Sequence, residues 1–272
     1  MNFWHDKVAL VTGGSAGLGR AIAEAFAAAG ARMVIAARNA DALTAAAEDM
    51  RRRGHEVLGV PADITRPDDV ERLIARTVEA YGRLDVLVNN AGRSMRRAVA
   101  DTTPADFREL MELNLIALVS VTQAALPHLL ARQGHLVNIG SLAGKSAARY
   151  VGAYPATKFA VTAYSQQLRL ELGPRGLHVL LVCPGPITRD EPRGEDERAA
   201  RGDDLTGLPD EAYRPGAGVR VRALQPDWLA RQIVRACERR RSELIYPRSA
   251  RWFFALMQLS PRLADWLVRL TT

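Results

Sequence analysis

Tyr154 and Lys158 stand four residues apart, and Ser141 lies in the same stretch of eighteen residues, 141–158. If Pro155 opens a helix, as proline prefers, the phenol and the amine fall on one helix face. A fixed ammonium favours the phenolate, so it moves a group of ordinary pKa ~10 toward neutrality and makes it a usable proton donor or acceptor. By itself the pattern is weak: Tyr-x-x-x-Lys also arises as a half-exposed phenol beside a solvated lysine. The elements around it have to supply the reason.

A phosphate site is encoded near the start. An apolar run, Lys7 to Val11, leads into Thr12-Gly13-Gly14-Ser15-Ala16-Gly17-Leu18-Gly19 and then into an alanine-rich helical pattern ending at Ala29-Gly30. Strand, glycine turn and helix in that order let the backbone approach a pyrophosphate at a helix N-terminus. Gly13, Ser15, Gly17, Leu18 and Gly19 are the candidate contacts; glycines that merely tighten the turn are the plainer reading. The spacing is Gly-x-x-x-Gly-x-Gly, not Gly-x-Gly-x-x-Gly. A second strand, Ala31 to Ala37, ends at Arg38-Asn39. No acid stands there for the ribose hydroxyls, whereas the Arg38 guanidinium suits a 2′-phosphate, so NADP is expected over NAD.

Further strand and helix patterns alternate along the chain. Asp41 to Arg53 reads as a helix before Gly54, and Glu56 to Pro61 as a strand that leaves Asp63 and Ile64 at its end, near an adenine edge. Asp63 also suits a helix cap or a turn. A helix follows from Arg66-Pro67 to Tyr81, and the strand Leu84 to Val88 empties into Asn89-Asn90-Ala91-Gly92. There, small and amide residues can pack against a cofactor and tie strands together. Pro104 to Arg132 is one long helical pattern with Asn114 inside it. Asparagine is poor in a helix interior, so Asn114 either does a polar job, such as opening a kink, or faces solvent. Gly134 to Gly140 is a strand that delivers Ser141 at its C-terminal end, where ligands sit in doubly wound sheets. Leu177 to Val182 is another, followed by the rigid loop Pro184-Gly185-Pro186-Ile187-Thr188. Thr188 suits either a cofactor contact or a local turn. Strands separated by helices require a parallel sheet covered on both faces.

Residues 188–225 turn polar and charged and read as a lid within a domain spanning 1–247. The tail, 248–272, carries Trp252, Leu256, Leu259, Leu263, Trp266, Leu267 and Leu270 at helical spacing, split at Ser260-Pro261, with arginines between them. It suits a membrane interface, a cover for a lipophilic pocket, or packing on its own domain or a partner.

Composition narrows the function classes. With 48% hydrophobic and 25% charged residues in 272, the chain has no signature of disorder. Cys183 and Cys237, the two cysteines, imply neither a disulfide framework nor a metal site, and buried thiols in a reducing cytoplasm are expected. The opening residues lack a signal-peptide pattern, and no run approaches the ~20 apolar residues of a spanning helix. A net charge of +7 raises nucleic acid as a partner, but the arginines are scattered among 30 acids, and no nucleic-acid partner is expected.

Together, Thr12 to Gly19, Asp63, Asn89 to Gly92, Ser141 with Tyr154 and Lys158, and Pro184-Gly185 resemble the short-chain dehydrogenase/reductase family over Lys7 to Tyr246. The resemblance implies a single Rossmann-like α/β domain, a doubly wound parallel sheet of about seven strands. It implies Tyr154 as general acid/base, Lys158 as the group that lowers its pKa and binds the nicotinamide ribose, Ser141 orienting a substrate carbonyl, and Asn114 holding a relay water. Asn90, Ala91, Gly92, Pro184, Gly185, Ile187 and Thr188 would complete the cofactor site. The expected reaction interconverts a carbonyl and a secondary alcohol of a small molecule, in a homodimer or homotetramer. The tail is similar to those of members acting on steroids, retinoids or long-chain acyl substrates. A silent cofactor-binding sensor of the same fold is the alternative.

Overall fold

Val8–Thr12 forms β1, and all five of its residues are buried. Ala9 and Val11 join one apolar cluster, and Val8 and Leu10 join another. A strand has this two-residue period when both faces of its sheet are covered. A computed structural model of the chain describes residues 2–188, 203–213 and 221–271. In it β2 (Arg32–Ala37), β3 (Val57–Pro61), β4 (Val86–Asn89), β5 (His135–Ile139), β6 (His178–Pro184) and β7 (Glu243–Tyr246) complete a seven-stranded sheet ordered β3-β2-β1-β4-β5-β6-β7. Every pairing is parallel. The chain steps outward from β1 to β3 and returns to β4 on the other side of β1, which opens a crevice at the strands' C-terminal ends.

The helices are α1 (Gly17–Ala28), α2 (Ala40–Arg52), α3 (Pro67–Tyr81), α4 (Pro104–Met111), α5 (Ala117–Ala131), α6 (Tyr154–Leu172), α7 (Pro226–Glu238), α8 (Ala250–Met257) and α9 (Pro261–Thr271). One apolar layer joins α1, α2 and α7 through Ile22, Phe26, Leu43, Met50, Leu229 and Ile233. The opposite layer joins α3, α5 and α6 through Leu73, Ile74, Val121, Leu129 and Leu168. Each such side chain withdrawn from water contributes ~1.5–3 kcal/mol before conformational entropy is subtracted. The strand boundaries fall within a residue or two of those expected.

The long helix differs from the single pattern expected at Pro104 to Arg132. Between α4 and α5 the backbone passes through a π-helical turn, Glu112–Ile116, centred on Asn114. The span Pro104–Ala131 is also long and apolar enough to cross a membrane by length and composition, which corrects the sequence expectation on that point. Here Leu110, Leu118, Val121, Ala125 and Leu129 turn inward instead, as core residues. Most of the charged segment expected as a lid, 188–225, lies outside the described residues.

Trp4 is fully buried against Phe26 and His135, and its indole N–H donates to Glu238 at 2.8 Å, which ties the N-terminal segment to α7. His135 and His178 face each other as register partners at the N-terminal edge of β5 and β6, Nδ1 to Nδ1 at 2.8 Å. His178 Nε2 lies 2.8 Å from the Arg241 carbonyl. A neutral His178 that donates there accepts on Nδ1 from His135, so one proton accounts for the pair. The buried Cys237 sulfur is close enough to complete a three-donor cluster. Two imidazoles on one tetrahedral metal would stand ~3.3 Å apart, and the pair has hydrogen-bond spacing instead. Burial holds the imidazolium form of His135 down to about 3, with His178 adding to the effect, and burial holds His178 down to about 4.

An unfolded chain takes up these protons near pH 6.5 and the folded one refuses them, so stability falls as pH drops from 6.5 toward 4. In His135→Gln, which retains a donor toward His178, the drop in melting temperature between pH 6.5 and 4.5 should be visibly smaller than in the parent. Equal drops would show that His135 does not titrate in that window.

Candidate active site

The crevice is a continuous cleft of about 2550 Å³ that runs from the glycine turn past the ends of β2 and β3 to Ser141, Tyr154 and Lys158. At one end Gly13 and Gly17 adopt left-handed φ values of 65° and 53°. A Cβ on Gly19 would collide with the Gly13 carbonyl oxygen, so the turn folds back on itself as only glycine permits. Asn90 holds that turn, with Nδ2 donating to the Thr12 and Gly13 carbonyls at 3.0 and 3.2 Å. The Thr12 hydroxyl accepts from the amides of Asn90 and Ala91, both at 3.1 Å.

The first turn of α1 is polarised for an anion. Asn39 caps α2, acids stand in the first turn of α3, and Thr103 and Asp106 form a capping box on α4. Ala16 at the N-cap of α1 offers no side-chain acceptor, and that helix's first turn carries no acid. Gly17, Leu18 and Gly19 of that turn line the cleft, so its positive dipole end meets the cleft with no carboxylate from its own first turn against it. With Gly19 leaving space for a close backbone approach, these residues fit the diphosphate of a dinucleotide.

The other expected cofactor residues divide by how their polar groups are already used. Ser15, Leu18, Arg38, Ile64, Ala91, Gly92, Pro184 and Ile187 all line the cleft, and Arg38 is exposed at its edge. Asp63 lines it too, but one carboxylate oxygen accepts from the Thr65 amide at 3.0 Å and from its hydroxyl at 2.7 Å. The turn reading of Asp63 and its place beside the cleft thus both hold. Gly185 donates its amide to the Tyr246 carbonyl at 2.8 Å. Thr188 reaches the wall, yet its hydroxyl lies 3.2 Å from the Leu224 carbonyl and 3.1 Å from Gln225 Oε1, so the local-turn reading accounts for its proton.

At the other end, Tyr154 opens α6, with Pro155 second in the helix and not first as the sequence suggested. Lys158 is 6% exposed, and its ammonium donates to the Ile139 carbonyl at 2.8 Å and sits 5.8 Å from the centre of the Tyr154 ring. Burial pulls its pKa from 10.5 down to about 8. Burial pushes the Cys183 thiol up to about 12, so a neutral sulfur lies behind the site. Ser141 Oγ accepts from the Ala143 amide at 3.1 Å, and the loop after it lies hard against α6. A Cβ on Gly144 would stand 2.5 Å from the Lys158 carbonyl oxygen. Close packing at Gly144 thereby seats the loop that carries Ser141 against α6, and Ser141, Tyr154 and Lys158 all line the cleft. Just before α6, Tyr150 holds a left-handed φ of 60°, unusual for a bulky residue and common at functional sites.

Asn114 is buried at 1% and fully tied into the frame. Its Oδ1 accepts from the Arg93 amide at 2.9 Å, and its Nδ2 donates to the Arg93 carbonyl at 2.9 Å and to Thr157 Oγ1 at 3.0 Å. The surface reading is excluded, and the side chain joins the π turn to α6 and to the loop after Gly92. Thr157, the partner from α6, was not anticipated; its place one residue before Lys158 was the available signal. Phe253, Phe254 and Val268 also line the cleft, and none of them belongs to the apolar set that the sequence pattern singled out in the tail.

A family model described as short chain dehydrogenase matches residues 7–198. An uncharacterized oxidoreductase of Mycobacterium tuberculosis is 39% identical over 67% of this chain and 70% of its own length. A dehydrogenase/reductase SDR family member 7B of Bos taurus is 37% identical over 67% of this chain, and the match spans only 58% of that relative. Among solved structures, a short-chain dehydrogenase of Burkholderia cenocepacia in complex with NADP is 30% identical at a TM-score of 0.75, covering 90% of this chain and 97% of that one. A short chain dehydrogenase/reductase of Burkholderia phymatum in complex with NAD shares the fold at a TM-score of 0.82 and 23% identity, covering 97% and 96%.

The buried ammonium gives a direct test of this geometry. Moving a lysine pKa from 10.5 to about 8 costs the fold roughly 3 kcal/mol while the cation is held, a cost present in full below pH 8 and gone above 10.5. Lys158→Met removes it, so the variant's stability advantage from that source should shrink between pH 8 and pH 10 in urea unfolding. A constant difference across that range would place the ammonium in contact with water.

Proposed function

The chain belongs to the short-chain dehydrogenase family, and from that premise we propose that it is an NADP(H)-dependent oxidoreductase interconverting a carbonyl and a secondary alcohol. The observation that carries this reading is the ammonium of Lys158, buried beneath Tyr154 at the end of the cleft that begins at the glycine turn. A scaffold without chemistry has no use for so unfavourable a lysine, which disfavours the silent sensor.

In this reading Gly13, Gly17, Leu18 and Gly19 hold the diphosphate at the α1 N-terminus, and Asp63 and Ile64 border the adenine. Bound nicotinamide supplies or accepts the hydride. Tyr154 gives its phenolic proton to the carbonyl oxygen as it gains charge, or takes it from the alcohol in reverse. Lys158 stabilises the phenolate left behind, and Ser141 donates a hydrogen bond to the same substrate oxygen. Asn114 positions α6 and the Arg93 loop, and through the π turn it keeps open a place for the relay water. Arg38 supports NADP over NAD, because the end of β2 offers a guanidinium and no carboxylate. A lipophilic substrate is supported by the apolar far wall, where Leu142, Val151, Phe253, Phe254 and Val268 meet.

Two variants test the assignment. Tyr154→Phe should lower kcat/KM for NADPH-dependent ketone reduction by ~10²–10⁴-fold while NADPH fluorescence still reports binding; undiminished turnover removes Tyr154 from the reaction. Arg38→Asp should move the NADP/NAD ratio of kcat/KM toward NAD by about tenfold or more. An unchanged ratio means that another group reads the phosphate.

A further inference from the structure

The helices α8 and α9 have two apolar sides. On the inner side Ala250 and Phe254 pack with Leu118, Val161, Leu181 and Ile245, and Phe253 and Val268 reach the cleft wall. On the outer side Trp252 is 79% exposed, Leu259 74%, Trp266 57% and Leu256 49%. Arg248, Arg251, Arg262 and Arg269 are exposed around them, and Asp265 is the only acid in 248–272, giving four positive charges against one negative.

We propose that this outer face docks onto an anionic lipid bilayer surface. Indole rings suit that boundary, since their apolar body enters the acyl region while the N–H stays at headgroup level. The guanidinium groups meet lipid phosphates as their aliphatic stems follow the tryptophans inward. The helices hold 8 and 11 residues, or roughly 12 and 16 Å, so they lie on a bilayer with a ~30 Å core and do not cross it. A second copy seated two-fold on the same face would oppose one basic tail to another. Another apolar surface is available for self-association, around Ile116, Phe159 and Leu170 on the π turn and α6. Because the docked helices also wall the cleft, docking sets the cleft's apolar end beside the phase that dissolves lipophilic molecules. That last consequence rests on the substrate class proposed above; the docking does not.

The test is co-sedimentation of the full chain with phosphatidylcholine vesicles, with and without phosphatidylglycerol. Binding should require phosphatidylglycerol and weaken with salt. Trp252→Ser/Trp266→Ser and Arg251→Glu/Arg262→Glu, each checked for the parent's melting temperature, should each weaken it by about tenfold or more. No sedimentation with phosphatidylglycerol vesicles, or parent-like binding by both variants, overturns the proposal. So does a concentration-dependent oligomer in sedimentation velocity that the tryptophan pair alone dissolves, which would assign the face to a second copy. None of these readouts depends on turnover, so they stand apart from any failure of the assigned reaction.

Discussion

The site depends on one costly placement, a lysine ammonium buried to 6% exposure at the base of α6. A cation there is tolerable only with an acceptor in reach, and the Ile139 carbonyl at the end of β5 supplies it at 2.8 Å. That bond couples β5 to α6. The chain runs from that strand through Gly140 to Ser141, and the helix begins at Tyr154, so the bond that satisfies one buried charge also ties together the two segments that carry the hydroxyl and the phenol. Gly144, whose missing side chain lets the loop touch the Lys158 backbone, removes the remaining freedom between them.

The other end of the cleft is built on the opposite electrostatic choice. The caps and first-turn acids that Asn39, Asp68, Asp69 and Thr103 with Asp106 give to α2, α3 and α4 are withheld from α1, whose N-cap is Ala16 and whose first turn holds no acid. Such an end stabilises the helix less by itself and binds an anion better. The Thr12 hydroxyl and the Asn90 side-chain amide hold the turn by hydrogen bonds to main-chain groups, so its shape does not wait for a ligand. An anion end and, at the other end, a phenol over a buried ammonium on one parallel sheet suit the hydride reaction proposed above.

Much of this was legible in the sequence because the signals were local. Strand, glycine turn and helix follow one another within Lys7 to Ala29, and a doubly wound sheet places strand ends together, so Gly13, Asn90, Ser141 and Pro184 had to converge. What was not legible depended on partners distant in the chain. Asn114 in a helical pattern signalled a polar role, but its bonds to Arg93 and Thr157, and the π turn they accompany, require the packed position of α6. Asp63 could be seen as either a turn residue or a cleft residue, and it is both, because its two oxygens need not serve the same partner. The histidine pair gave no sequence signal, since only the β5–β6 register brings the rings together.

The tail shows why periodicity alone leaves orientation open. Trp252, Leu256, Leu259 and Trp266 recur at helical spacing, which suits a membrane-facing side as well as a packed one; they are the exposed ones, while Phe253, Phe254 and Val268 line the cleft. Both sets are apolar, so the hydrophobic pattern could not choose between them. The decision came from β7, which delivers the chain at Tyr246 beside the cleft and brings Ala250 and Phe254 against Val161, Leu181 and Ile245. With the smooth phenylalanines fitted to that wall, the tryptophans, each with an N–H that needs a partner, are left outside, where water or a headgroup can supply it.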